Sequence, residues 1–173
     1  MPLVWSRRSW CLGGLVLLLN TAAPAQSPLL GEDGSPRLNG SDMAVLETQD
    51  VRKDLPCTVE PVKPVLGFDL RFHAGYSVSL PLKEIAGPEN QLTILFRVTP
   101  KARKDEPSYF VQYIPVPKIE ENAKGDAELS GTFDLGEGNY HVDLLMRDRA
   151  ERVCSFYWDP EALLDDRDKQ IQR

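Results

Sequence analysis

Gln91-Leu92-Thr93-Ile94-Leu95-Phe96-Arg97-Val98 decides how the rest of the chain is read. Leu92, Ile94, Phe96 and Val98 fall on one side of a period of two, opposite Gln91, Thr93, Leu95 and Arg97. A strand of this kind buries one face and turns the other toward water. The pattern recurs in both directions. Upstream, Phe68, Leu70 and Phe72 alternate with Asp69, Arg71 and His73. Ala74-Gly75 then reads as a turn before Tyr76, Val78, Leu80 and Leu82. Downstream, a charged loop from Pro100 to Pro107 leads to Tyr109–Ile114, Ala127–Phe133, Tyr140–Met146 and Val153–Trp158. About seven short strands separated by Gly, Pro, Asn or Asp signals predict an all-β fold, an antiparallel sandwich over residues 57–158.

The two ends read differently. Residues 1–25 have the form of a cleavable signal peptide, with Arg7 and Arg8 ahead of an apolar run from Cys11 to Leu19. Ala23-Pro24-Ala25 supplies the small-residue exit. The run is shorter than the ~20 helical residues that cross a bilayer, so no transmembrane span is expected in the mature protein. Residues 26–56 are expected to form a flexible tether and lead-in segment. Within it, Met43 to Leu55 has apolar residues too sparse for more than one short edge strand. Asn39-Gly40-Ser41 matches a glycosylation acceptor by pattern. At the other end, Asp159-Pro160-Glu161 has the form of a helix start. Residues 159–173 are therefore expected to be a charged tail, either a short polar helix or a solvated, fraying end.

Composition narrows the partners. The chain of 173 residues is 42% hydrophobic and 27% charged, with 20 basic and 26 acidic residues. Loss of the signal segment, which holds two arginines and no acid, leaves a formal net charge of −8. Such a surface repels phosphate backbones and anionic lipid, so no nucleic-acid partner is expected.

Leu135-Gly136-Glu137-Gly138-Asn139-Tyr140-His141-Val142 resembles the tyrosine corner of immunoglobulin-like sandwiches. The resemblance covers roughly residues 65–158. It implies that the Tyr140 hydroxyl bonds back to upstream backbone, with Gly138 in the corner. A tight Asp148-Arg149-Ala150-Glu151 hairpin then leads into the last strand. The pattern departs from antibody domains, because Cys57 and Cys154 are not on the strands that carry the antibody disulfide. Together with Gly67-Phe68-Asp69-Leu70, the sequence is similar to uncharacterised secreted bacterial proteins, a resemblance that brings no activity with it.

Of the three cysteines, Cys11 lies in the signal segment. In an oxidising compartment the remaining pair, Cys57 and Cys154, favours a disulfide; the alternative is two thiols too far apart to bond. The only two histidines are His73 and His141. By parity Asp69 shares an outward face with His73, and Asp143 shares one with His141. Were the two strands neighbours, these four residues would converge on a metal or acid–base site; otherwise they are solvated cross-strand pairs. Tyr109, Tyr113, Tyr157 and Trp158 are candidate contact residues, since aromatics occur on both parities of their strands. No nucleophile elbow, zinc-protease helix, phosphate loop or calcium loop is found, and no cofactor is expected. The resulting expectation is a secreted or periplasmic, non-catalytic binding or assembly module contacting another envelope or cell-surface protein. A carbohydrate-binding module is the alternative, with a metal-binding protein or metal-dependent enzyme behind it.

Overall fold

Two antiparallel sheets face one another across side chains that the period of two had placed on one side of each strand. The computed structural model describes Ser27–Pro28 and residues 38–164; the signal-peptide reading of residues 1–25 lies outside the described residues. In chain order the elements are β1 (Ser27–Pro28), α1 (Gly40–Thr48), β2 (Thr58–Leu66), β3 (Phe72–Pro81), β4 (Asn90–Pro100) and β5 (Ser108–Val116). They continue with β6 (Asp126–Leu135), β7 (Gly138–Arg147), β8 (Val153–Trp158) and β9 (Glu161–Ala162). The larger sheet runs β1-β5-β4-β7-β8, with β9 also pairing β7; the smaller runs β2-β3-β6. The chain is an all-β sandwich. No helix among the described residues is long and apolar enough to cross a membrane.

Phe96 occupies the middle of the core. Its ring lies 5.7 Å from Tyr76, 4.9 Å from Phe110 and 5.5 Å from Phe133, which joins both sheets through aromatic contact. Leu92, Ile94 and Val98 bury the same face of β4. On β7, Met146, Leu144 and Val142 pair with Ile94, Phe96 and Val98. Leu95 and Leu145 point the other way and are buried too, against Leu46 of α1 and Val153. The central strands of the larger sheet are therefore covered on both faces, which explains the nearly continuous apolar run at the end of β7.

Four expectations need correction. Residues 40–48 are helix α1, and neither tether nor edge strand. Nine residues are too few for a 3.6-residue period to stand out, and the helix is held by the buried Leu46. β2 escapes a propensity reading because Pro61 and Pro64 lie in it; its place at a sheet edge makes them tolerable. Phe68 and Leu70 belong to the turn between β2 and β3, while β3 runs straight through Ala74-Gly75. Gly75 is needed there because a Cβ would press on the Gly131 carbonyl of β6. Last, Glu161–Ala162 forms β9 where a helix was expected to start, with Tyr140 N–H donating to the Pro160 carbonyl at 3.0 Å; the rest of the expected tail, residues 165–173, lies outside the described residues. Ala162 is fully buried, and Gly138 pairs with it beyond the point where β8 ends.

Cys57 and Cys154 form a disulfide across 97 residues, with Cα atoms 6.2 Å apart. It ties the lead-in segment to β8. The same segment runs along that strand's free edge, with Ser155 N–H donating to the Arg52 carbonyl (3.0 Å) and Leu55 N–H to the Val153 carbonyl (3.1 Å). Loop-closure entropy for a span of this length amounts to at most about 4.7 kcal/mol. Replacing both cysteines by alanine is expected to lower the unfolding free energy by several kcal/mol, up to about that value, in urea titrations of the oxidised protein.

Candidate functional site

The turn joining β2 to β3 is built to a tight specification. Gly67 N–H donates to the Arg71 carbonyl at 2.8 Å, and Leu70 N–H to the Gly67 carbonyl at 3.1 Å. Leu70 adopts φ 60°, a costly conformation for a branched side chain. Gly67 admits no Cβ, which would overlap the His73 imidazole and the Asp69 carboxylate. His73, the second residue of β3, holds the turn. Its Nε2 lies 3.0 Å from Asp69 Oδ1 and its Nδ1 lies 2.8 Å from Asp134 Oδ1 on β6. Arg71 adds a 3.3 Å contact to the other oxygen of Asp134. The Asp69 bond, then the Asp134 bond, hold the imidazolium charged, so His73 titrates above its usual value. For Asp69, partial desolvation is outweighed by the Arg71 N–H and His73 bonds, so its carboxyl sits below its usual value. The product is a pinned turn that carries Phe68 fully exposed, with Leu70 and Val65 exposed beside it.

Asp69, His73 and Asp134 offer three ligand atoms within 4.8 Å of one another. Each ring nitrogen, however, already faces a carboxylate. An imidazolium donating to two carboxylates satisfies all three groups without an ion. The four-residue site expected from parity does not assemble. His73 lies in the smaller sheet and His141 in the larger, and each gathers its own partners. Asp134, which parity on β3 alone could not reveal, takes the place of Asp143 beside His73.

His141 and Asp143 sit on the outer face of β7 beneath the end of α1. Asp143 is fully buried and accepts from Arg97 Nε of β4 at 2.7 Å. Arg97 also donates to the Leu46 carbonyl of α1 at 2.8 Å. Gln49, in the left-handed conformation that ends the helix, places its amide nitrogen 2.8 Å from His141 Nε2 and 3.4 Å from Asp143. His141 Nδ1 meets Asp159 Oδ1 at 2.6 Å, and Lys101 meets the other oxygen at 3.1 Å. His141 is the largest contribution holding the Asp159 carboxyl below its usual range. An open cleft of about 580 Å³ adjoins the network, between Gln49, Thr99, Lys104 and Asp159. The network's hydrogen bonds face other protein groups, which makes it a clamp for α1 and the C-terminal segment.

The aromatic candidates divide. Tyr113 is exposed on β5, and Tyr109 packs against the Leu46 cluster. The Tyr157 hydroxyl donates to the Val45 and Asp50 carbonyls at 3.1 and 3.0 Å, and so holds α1. Trp158 packs on Phe156 at 6.0 Å and against the core. Of the rings expected to face outward on β8, Tyr157 is thus engaged by α1, a helix the sequence pattern did not announce, and Trp158 by the core. The Tyr140 hydroxyl donates to the Gly136 carbonyl at 3.2 Å, as the corner motif implied. Gly138 at the corner has φ 153°, which favours glycine.

No known family, curated protein or solved structure matches the chain.

Two outcomes follow from these geometries. Asp143→Ala leaves the half-buried Arg97 without its carboxylate and is expected to cost up to about 3 kcal/mol in denaturant unfolding, with faster amide exchange in α1. The His73 clamp has a defined pH window. Its raised histidine contributes fully below the ordinary value of 6.5, and the contribution fades as pH climbs through the raised one. Its depressed Asp69 contributes above the ordinary value of 3.8, and that contribution fades as pH falls through the lowered one. The turn is therefore held most firmly in mild acid. NMR titration should find His73 above the usual histidine value and should find it lowered by Asp69→Asn.

Proposed function

We propose that this chain is an exported, non-catalytic binding module of immunoglobulin type that contacts another envelope or cell-surface protein through the Phe68 turn. The signal-like N-terminus and the disulfide support export. The strand order supports the fold type. Taking β2, β3 and β6 as strands A, B and E, with β5, β4, β7 and β8 as C′, C, F and G, gives an immunoglobulin arrangement. In that reading Tyr140 lies near the start of strand F, where the tyrosine corner belongs.

The observation that carries the function is the exposure of Phe68 on a turn held rigid by four side chains. Folding alone favours burying a phenylalanine and avoiding a leucine at positive φ. Both costs are accepted at the same turn, and Asp69, Arg71, His73 and Asp134 hold it in place. A rigid aromatic loses little conformational freedom when it docks, which is what an interface anchor requires. The glycan alternative has weaker support, because Tyr157 and Trp158 are engaged inside the protein and Tyr113 stands on a different sheet from the turn.

Phe68→Ala removes no packed contact, so the melting temperature should stay unchanged. Crosslinking of the mature protein in its native envelope, followed by mass spectrometry, should lose a stoichiometric partner about thirtyfold in the variant, the loss typical of an aromatic anchor. Equal recovery with wild type would remove the turn from the interface.

A further inference from the structure

The sandwich exposes strand edges, and it protects them unequally. β2 carries Pro61 and Pro64, and its register breaks between Val62 and Val65. The Arg52–Leu55 segment lies along β8. β5 is paired at Val111 and Phe110 by β1 and carries Pro115 near its end. Such devices keep an edge from recruiting a foreign strand. β6 has no proline, register break or covering strand among the described residues, and charge is its one guard. It pairs with β3 in unbroken register from Asp126 to Leu135, without proline, lysine or bulge. No residue among those described pairs with its other side.

Its side chains are also unevenly covered. Phe133 and Leu135 are buried, whereas Ala127 and Leu129 on the same inward row are only partly so. The outward row is exposed and includes Asp126, Glu128 and Asp134. A strand laid along β6 would cover Ala127 and Leu129 with apolar side chains. On the other row it would meet three carboxylates. A second copy paired antiparallel about Ser130 would set Asp126 against Asp134, acid against acid, which disfavours self-pairing.

We infer that the free edge of β6 is a β-augmentation site for an extended segment of a partner protein, with basic and apolar residues alternating along it. The inference extends the reading of the Phe68 turn, because Asp134 at the end of β6 also holds that turn through His73. The partner strand and the Phe68 anchor would share one continuous surface.

The probe is a synthetic ten-residue peptide of alternating valine and lysine, with a valine–glutamate peptide as its counterpart. Hydrogen exchange is followed by NMR on the mature protein. The lysine peptide should slow exchange at alternate amides of residues 126–135 by about tenfold or more at saturation, an effect weakened by salt. Replacing Asp126 and Glu128, both exposed, by lysine should abolish the protection without changing the melting temperature. The inference is overturned if β6 gains no protection, or if the glutamate peptide protects it equally. It is also overturned if β6 is already protected in the free protein, as a monomer or as a dimer. Phe68→Ala does not enter this experiment, so the edge and the anchor can fail separately.

Discussion

Asp143 lies wholly inside the protein, between Val142 and Leu144 of the sandwich core, and Arg97 on the neighbouring strand makes an ionised carboxylate tolerable there. A buried charge costs several kcal/mol unless it is paired and its remaining lone pairs are met. Meeting them recruits Gln49 and His141, and Arg97 reaches on to the Leu46 carbonyl. The outer face of the larger sheet is thereby committed to receive α1 in one position. Leu46 can then bury against Leu95, Leu145 and Val153, and Tyr157 can find its acceptors in the Val45 and Asp50 carbonyls. The apolar contact supplies most of the stabilisation, and the polar pair fixes which helix position is compatible with it.

This coupling also explains what could be read without coordinates. The core strands were legible because burial on one face imposes a period of two, as Leu92 to Val98 and Tyr76 to Leu80 illustrate. The count of long strands agreed for compensating reasons. The expected strand at Phe68–Phe72 became a turn and the head of β3, and β2 appeared where no strand had been read. Helix α1 was not legible, since its register is set by Arg97 and Leu95, more than 45 residues away along the chain. Parity had placed Asp69 beside His73 and Asp143 beside His141, but the second carboxylate of each histidine was hidden for the same reason. Asp134 and Asp159 reach them only through strand order and a C-terminal crossing, and neither is written in local periodicity. One clue was available: an aspartate inside Val142-Asp143-Leu144-Leu145-Met146 is costly unless an arginine faces it.

Three unusual features gather at one end of the smaller sheet. Gly67 has no room for a side chain, Leu70 has a positive φ, and Phe68 is bare to water. Positive φ elsewhere falls on glycines or on the polar Gln49 and Glu151, at a helix end and a tight hairpin, and the large aromatics Tyr76 and Phe96 are fully buried. Sequence and fold are expected to agree everywhere except where function demands otherwise. A turn that conflicts with solubility and backbone preference at once, while two carboxylates, a histidine and an arginine fix it, is hard to attribute to stability.

The electrostatics of that end follow from the same geometry. An imidazolium between Asp69 and Asp134 neutralises part of an acidic rim, and Arg71 offsets more of it. Among the described residues, two acids further along β6, Asp126 and Glu128, have no such cation, and Glu128 accepts from the Ser77 hydroxyl at 3.2 Å. The surface therefore changes along one strand from a compensated, apolar-tipped end to an uncompensated acidic stretch. A partner that fits both needs an apolar pocket for Phe68 and cationic side chains spaced for a strand. That combination is more discriminating than either half, since a general hydrophobic surface lacks the charges and a general cationic one lacks the pocket.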